Sequence, residues 1–268
     1  MKGKAQARAA DIIATPDGGC IVLGYIWADD SYELETLGGG DCYLFRLSAE
    51  GDVIWQKVFG GPKSDHGNCL ARTPDGHYLL AGDTETSFSL VHGQAFYRDV
   101  YVVKFNGQGE PLWQRNYGGL GGELALDMDV TAQGDILLFG GSGSEDIEGC
   151  TNRGEMDFYI LKLDDPKGEI LWQKMYGMPF GDSALSGCAV SDGGCAAAGV
   201  VHPGEDSWGD TASYFIKLDS QGGLVWELQR GGGSYDQADS VIETSDGHLA
   251  AVYNMYTDIY VIKIKNDR

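Results

Sequence analysis

Residues 68–82, NCLARTPDGHYLLAG, and, after a long intervening stretch, residues 99–117, DVYVVKFNGQGEPLWQRNY, hold the reading that decides the fold. β-Branched and aromatic residues bounded by turn signals mark four strands here. The first, Asn68–Thr73, ends at Pro74-Asp75-Gly76, a tight turn in which glycine supplies positive φ. The second is His77–Gly82. The third alternates Tyr101, Val103 and Phe105 on one face with Val102 and Lys104 on the other, the period of a strand. Asn106-Gly-Gln-Gly109 then returns the chain into a fourth strand, Pro111–Tyr117.

Working outward, the same text recurs. Trp55, Trp113, Trp172 and Trp226 stand 58, 59 and 54 residues apart. Asp17-Gly18, Asp75-Gly76, Gln133-Gly134, Asp192-Gly193 and Asp246-Gly247 fall at matching offsets, as do Tyr43/Arg46, Tyr101/Lys104, Tyr159/Lys162, Tyr214/Lys217 and Tyr260/Lys263. Three signals with one period of this length mean stacked supersecondary units that bury their faces against neighbours. Four antiparallel strands per unit around an axis predict an all-β, five-bladed β-propeller in one domain, residues 1–268. Its blades are expected at 11–59, 68–117, 126–176, 185–230 and 239–264. No unit has helical periodicity, and a β-helix would use shorter coils and capping ends. The fifth blade lacks a Trp strand. Met1–Arg8 is therefore expected beside it as a partial fourth strand closing the ring near the N-terminus, or an upstream segment has been removed from a longer precursor.

Forty acidic against 19 basic residues give a net charge of −21, which repels phosphate backbones and anionic lipid and excludes nucleic-acid or membrane-surface partners. No apolar run approaches the roughly 20 residues that span a bilayer, and Met1–Ala10 lacks the apolar core of a signal peptide. Membrane insertion is not expected, and the chain reads as a monomer. Cys20, Cys42, Cys69, Cys150, Cys188 and Cys195 show no metal-ligand spacing and five fall in predicted strands, so they read as free thiols suited to a reducing or anaerobic setting.

The aligned unit resembles an uncharacterised prokaryotic β-propeller repeat that carries Thr-x-Asp-Gly-Gly, Asp-x-Tyr-x-x-Lys-Leu and Leu-Trp-x-Lys-x-Tyr-Gly-Gly. Here these stand as Thr15-Pro-Asp-Gly-Gly19, Asp99-Val-Tyr-Val-Val-Lys104 and Ile170-Leu-Trp-Gln-Lys-Met-Tyr-Gly177. The resemblance covers nearly the whole chain. It implies a secreted or cell-surface protein with its leader removed, and it carries no family-wide activity and no transferable catalytic residue.

In an antiparallel blade, loops one-to-two and three-to-four leave on one face and loops two-to-three and four-to-one on the other. The first face has tight turns. The second has long loops, 27–40, 84–98, 142–156 and 202–211, and elaborated loops on a rigid scaffold are where binding usually lives. An acid stands ten residues after each tryptophan: Asp65, Glu123, Asp182 and Asp236, with Ala7 at the matching place of blade one. Either these ring the mouth of a central channel, as binders of a hard cation such as Ca²⁺ or as an acid–base pair, or each caps its own turn. Trp27, Tyr32, Phe88, His92 and Trp208 lie in these loops and Tyr256 in blade five's short equivalent, 254–257, where flat rings beside carboxylates suit sugar C–H faces. No cofactor is expected, and no zincin, nucleophile-elbow or P-loop motif occurs. The reading is a non-catalytic module that binds a glycan or a protein through the long-loop face. The alternatives are a glycoside hydrolase that uses two of the four acids, and a scaffold within a larger surface protein.

Overall fold

The computed structural model describes residues 6–27, 36–87, 97–204 and 210–266. Among them are nineteen strands in five antiparallel sheets and no helix, hence none long and apolar enough to cross a membrane. The chain divides into two compact units, Met1–Gly118 and Gly119–Arg268. In the first, β1 (Gln6–Ala14), β2 (Cys20–Trp27), β3 (Asp41–Leu47) and β4 (Val53–Phe59) form one sheet, and β5 (Asp65–Arg72), β6 (Tyr78–Ser87), β7 (Tyr97–Phe105) and β8 (Pro111–Tyr117) another. In the second, β9 (Glu123–Val130), β10 (Ile136–Ser142), β11 (Asp157–Leu163) and β12 (Ile170–Tyr176) form one sheet. β13 (Ser183–Ala189), β14 (Cys195–Val201), β15 (Thr211–Leu218) and β16 (Leu224–Ser234) form the next, and β17 (Gln237–Glu243), β18 (Leu249–Met255) and β19 (Asp258–Ile264) the last. Every sheet runs in simple meander order.

The repeat's conserved spacing now has a local cause. At each strand one-to-two turn a glycine takes positive φ, +87° at Gly18 and Gly76 and +99° at Gly134, and its N–H donates back to Thr15, Thr73 or Thr131. The basic residue of each third strand reaches the acid of the turn in its own sheet: Arg46 to Asp17 at 2.7 Å, Lys104 to Asp75 at 2.8 Å, Lys162 to Asp135 at 3.0 Å, and likewise Lys217 to Asp192 and Lys263 to Asp246. The Lys104 ammonium, with Thr73 and the His77 N–H, outweighs burial and holds the Asp75 carboxyl down at about 2. Opposite that basic residue stands the tryptophan of the fourth strand in all four complete sheets: Arg46–Trp55, Lys104–Trp113, Lys162–Trp172 and Lys217–Trp226.

Sheets pack face to face within each unit. In the first, Ile21, Leu23, Cys42 and Leu44 meet Leu70, Leu80, Tyr101 and Phe105. In the second, Phe139, Phe158 and Ile160 meet Ala197, Tyr214 and Ile216, and Phe215 and Ala198 meet Val241, Ala251 and Tyr253. Side chains of one first strand clamp the backbone of the next: Asp11 accepts from the Leu70 N–H at 2.7 Å, Asp127 from Gly187 at 2.9 Å, and the Ser186 hydroxyl from Val241 at 3.3 Å. All six cysteines are free thiols, and burial pushes Cys188 up to about 12.

Two sequence expectations are corrected. Of the Met1–Arg8 segment expected as a partial strand of the last sheet, residues 6–8 pair within the first sheet, and residues 1–5 lie outside the described residues. Residues 6–8 prolong β1, where Gln6, Ala7 and Arg8 pair with Trp27, Ile26 and Tyr25 beyond a register shift between Ala9 and Asp11. The first sheet therefore begins at residue 6 rather than 11, and the last sheet has three strands among the described residues. The long 84–98 loop is also shorter than its sequence suggests, because Glu85–Arg98 and Ser87–Tyr97 continue the β6–β7 ladder.

Candidate functional site

The four acids share one geometry. Each is buried at or beside the start of a first strand and accepts the backbone N–H four residues before it, closing its own turn. Asp65 accepts from Gly61 at 2.7 Å, Glu123 from Gly119 at 3.0 Å, Asp236 from Gly232 at 2.9 Å, and Asp182 from Met178. Three of them also engage the second oxygen: Glu123 takes the Ser142 hydroxyl at 2.7 Å, Asp182 the His202 N–H at 2.9 Å, and Asp236 the Tyr256 N–H at 2.8 Å. That last bond holds Tyr256, whose φ of +58° is rare for a bulky side chain, in the β18–β19 turn with its ring exposed.

Two of these acids have a carboxylate neighbour that the spacing did not reveal. A Cβ on Gly60 would stand 2.5 Å from Asp41 Oδ1 and 2.6 Å from Asp65 Oδ2, and Gly177 is bracketed in the same way by Asp157 and Asp182. Only glycine fits between such pairs. Asp41 and Asp157 open the third strands, take the N–H groups of Leu37 and Arg153 at 2.7 Å, and leave Oδ1 without a hydrogen-bond partner among the described residues. Burial, with the Asp157 charge adding, pushes the Asp182 carboxyl up to about 7. Asp236 has Ala212 where the others have the second aspartate, and its hydrogen bonds to Tyr256, Gly232 and Ser234 outweigh burial and hold it low. Among the described residues no group of three or more His, Cys, Asp or Glu is placed to hold a metal ion.

The first unit carries a cleft of about 510 Å³ on the long-loop face, lined by Gly61, Pro62, Lys63, Asp65, Thr84, Glu85, Tyr101, Gln114, Arg115 and Asn116. Lys63 lies 3.7 Å from Glu85, and the Tyr101 hydroxyl donates to Gln114 at 3.3 Å. In the same unit the Trp27 indole, 53% exposed, meets Tyr25 edge-on at 5.6 Å, and Tyr25 tilts over His66 at 4.4 Å. Buried Asp83 fixes the far end of this step by accepting from Arg98 and lying 3.2 Å from His66 Nδ1. The fold thus links Trp27 to His66 through Tyr25, and brings Asp65 into a polar cleft. Tyr25, His66, Asp83, Glu85 and Arg98 carried no repeat signal; the one sequence clue was that they break the pattern at positions where other blades differ. Tyr32, Phe88, His92 and Trp208 lie outside the described residues.

No family model matches the chain. Over 147 residues, 51% of this chain, it is 29% identical to the regulatory protein FlaEY of Caulobacter vibrioides, and it spans 15% of that protein's length. Among solved structures, the NanB sialidase of Streptococcus pneumoniae matches 99% of this chain and 57% of its own at a TM-score of 0.56 and 9% identity. A puromycin hydrolase matches 97% of this chain and 36% of its own at 0.52 and 12%. At these identities the likeness concerns the fold. The fold is that of the β-propellers, with five blade-like antiparallel sheets.

Proposed function

We propose that this chain is a non-catalytic binding module that takes a short glycan on the long-loop face of its first two sheets. The observation that carries the reading is the polar cleft of about 510 Å³, within the usual range of ligand sites, in a unit that also exposes the aromatic step of Trp27, Tyr25 and His66. Lys63, Glu85, Gln114 and Asn116 offer donors and acceptors to hydroxyls, and the indole offers a flat apolar surface to a sugar ring. The engagement of both carboxylate oxygens of Glu123, Asp182 and Asp236 supports binding over glycoside hydrolysis by a pair of these acids, because an acid or base must reach its substrate.

A glycan array followed by titration calorimetry tests this. Trp27→Ala and Glu85→Gln are each expected to weaken the best glycan about tenfold or more, by loss of stacking surface and of a charge-assisted hydrogen bond. An empty array, or a hit indifferent to both substitutions, overturns the glycan reading. A protein ligand sensitive to the same two substitutions would keep the face and replace the ligand.

A further inference from the structure

The last sheet repeats the scaffold of the others but, among the described residues of its own unit, lacks what covers them. In the four complete sheets the residue before and the residue after the tyrosine of the third strand are buried to 1% exposure or less: Cys42 and Leu44, Val100 and Val102, Phe158 and Ile160, Ser213 and Phe215. Their counterparts on β19, Ile259 and Val261, are 78% and 77% exposed, and Ile242 on β17 is exposed beside them. The far edge of β19 has no strand on it among the described residues.

The other sheets show what sits there. In each, the third strand pairs with a fourth whose tryptophan lies opposite the basic residue, followed at once by a register shift; Lys263 is that basic residue in β19. The fourth strand then leads through a short turn into a first strand that crosses the preceding sheet: β5 packs on β1, β2 and β3, β13 on β9, β10 and β11, and β17 on β13, β14 and β15. The side chain at the position of Asp11, Asp127 and Ser186 clamps that incoming strand, and Ser240 stands at the same place in β17, half-exposed. A last sign is Trp226. Trp55 and Trp172 donate their indole N–H at 3.0 Å to Gly107 and Ser220, in the strand three-to-four turn of the next sheet, whereas the buried Trp226 Nε1 has no acceptor among the described residues.

We infer that the β17–β19 sheet receives a further repeat of the same kind: a Trp-bearing strand antiparallel to β19 with its tryptophan opposite Lys263, followed by a first strand laid across Ile242, Ile259 and Val261 and clamped by Ser240. Main-chain pairing supplies affinity and the alternate side chains supply register, as in strand addition to any open sheet edge. The single-stranded edge and the apolar face are thus one site with one occupant.

The probe is a fluorescent peptide copying residues 53–72, which joins a Trp strand to the first strand that follows it, with Cys69→Ser to prevent oxidation. Anisotropy titration should saturate, amide exchange should slow at residues 259–263, and Trp55→Ala in the peptide should weaken binding about tenfold or more. The same peptide tethered after Asn266 by a flexible linker raises its effective concentration to the millimolar range, so a free peptide that orders poorly still has its chance. Exchange at 259–263 unchanged in both formats overturns the inference. So does protection of those amides in peptide-free protein that light scattering finds to be a dimer, since a second copy is then the occupant.

Discussion

The Lys217–Asp192 pair allows an asymmetric test of how the repeat is held. The Lys217 side chain is 5% exposed and the Asp192 side chain 45%. Replacing Asp192 by Ala strands a buried ammonium, whereas replacing Lys217 by Met leaves a carboxylate that water already reaches. Removing one partner of a buried pair costs about 3–5 kcal/mol, and loss of an exposed charge's partner about 1 kcal/mol or less. Asp192→Ala should therefore cost several times more than Lys217→Met. Asp192→Asn separates the causes, because it can still accept the Gly194 N–H, now at 3.0 Å, while losing the charge. Urea unfolding followed by tryptophan fluorescence reads the difference in midpoint at constant slope.

The pH dependence gives the same pair a second signature. Burial raises the Asp192 carboxyl, but Lys217 and the Gly194 N–H outweigh it and leave it below the ordinary carboxylate range. A carboxyl lowered by folding contributes stability that is full above its unfolded value, about 3.9, and is lost as pH falls towards its folded value. Lys217→Met should shrink that acid loss. Equal costs for the two truncations would refute the assignment of a buried cation held by a half-exposed anion.

Two further outcomes follow from buried geometry. Asp182, pushed up to about 7, keeps its proton where the unfolded chain has lost it, so stability should fall as pH rises from about 4 to about 7; Asp182→Asn should flatten that slope in the same urea assay. Gly140→Ala would set a Cβ against the backbone carbonyl of Leu124 across the β9–β10 register shift, and the unfolding free energy should drop by about 3 kcal/mol; a near-neutral result would mean that the shift there relaxes.

Much of the scaffold was legible because it rests on local chemistry. Asp-Gly turns need positive φ, alternation needs a two-faced strand, and the basic residue of each third strand reaches an acid of its own sheet's turn, the aspartate before the glycine in all but the third, where Asp135 after the glycine serves. The acids after each tryptophan were legible as positions but not as roles. Both a channel ring and a turn cap require a carboxylate at that spacing, and only the N–H four residues back distinguishes them. The Asp41–Asp65 and Asp157–Asp182 neighbours were not legible, since they join a third strand to the first strand of the following repeat across a glycine.

The sequence by itself determined the repeat, its strands and its turns, because each depends on residues within a few positions of one another. Tertiary structure decided where Gln6–Arg8 belong, which acids meet, that Trp27, Tyr25 and His66 form one step, and that β19 has no strand on its far edge among the described residues. Those outcomes depend on which sheet lies against which, and a pairing across tens of residues is set by competition among faces and edges that share the same pattern.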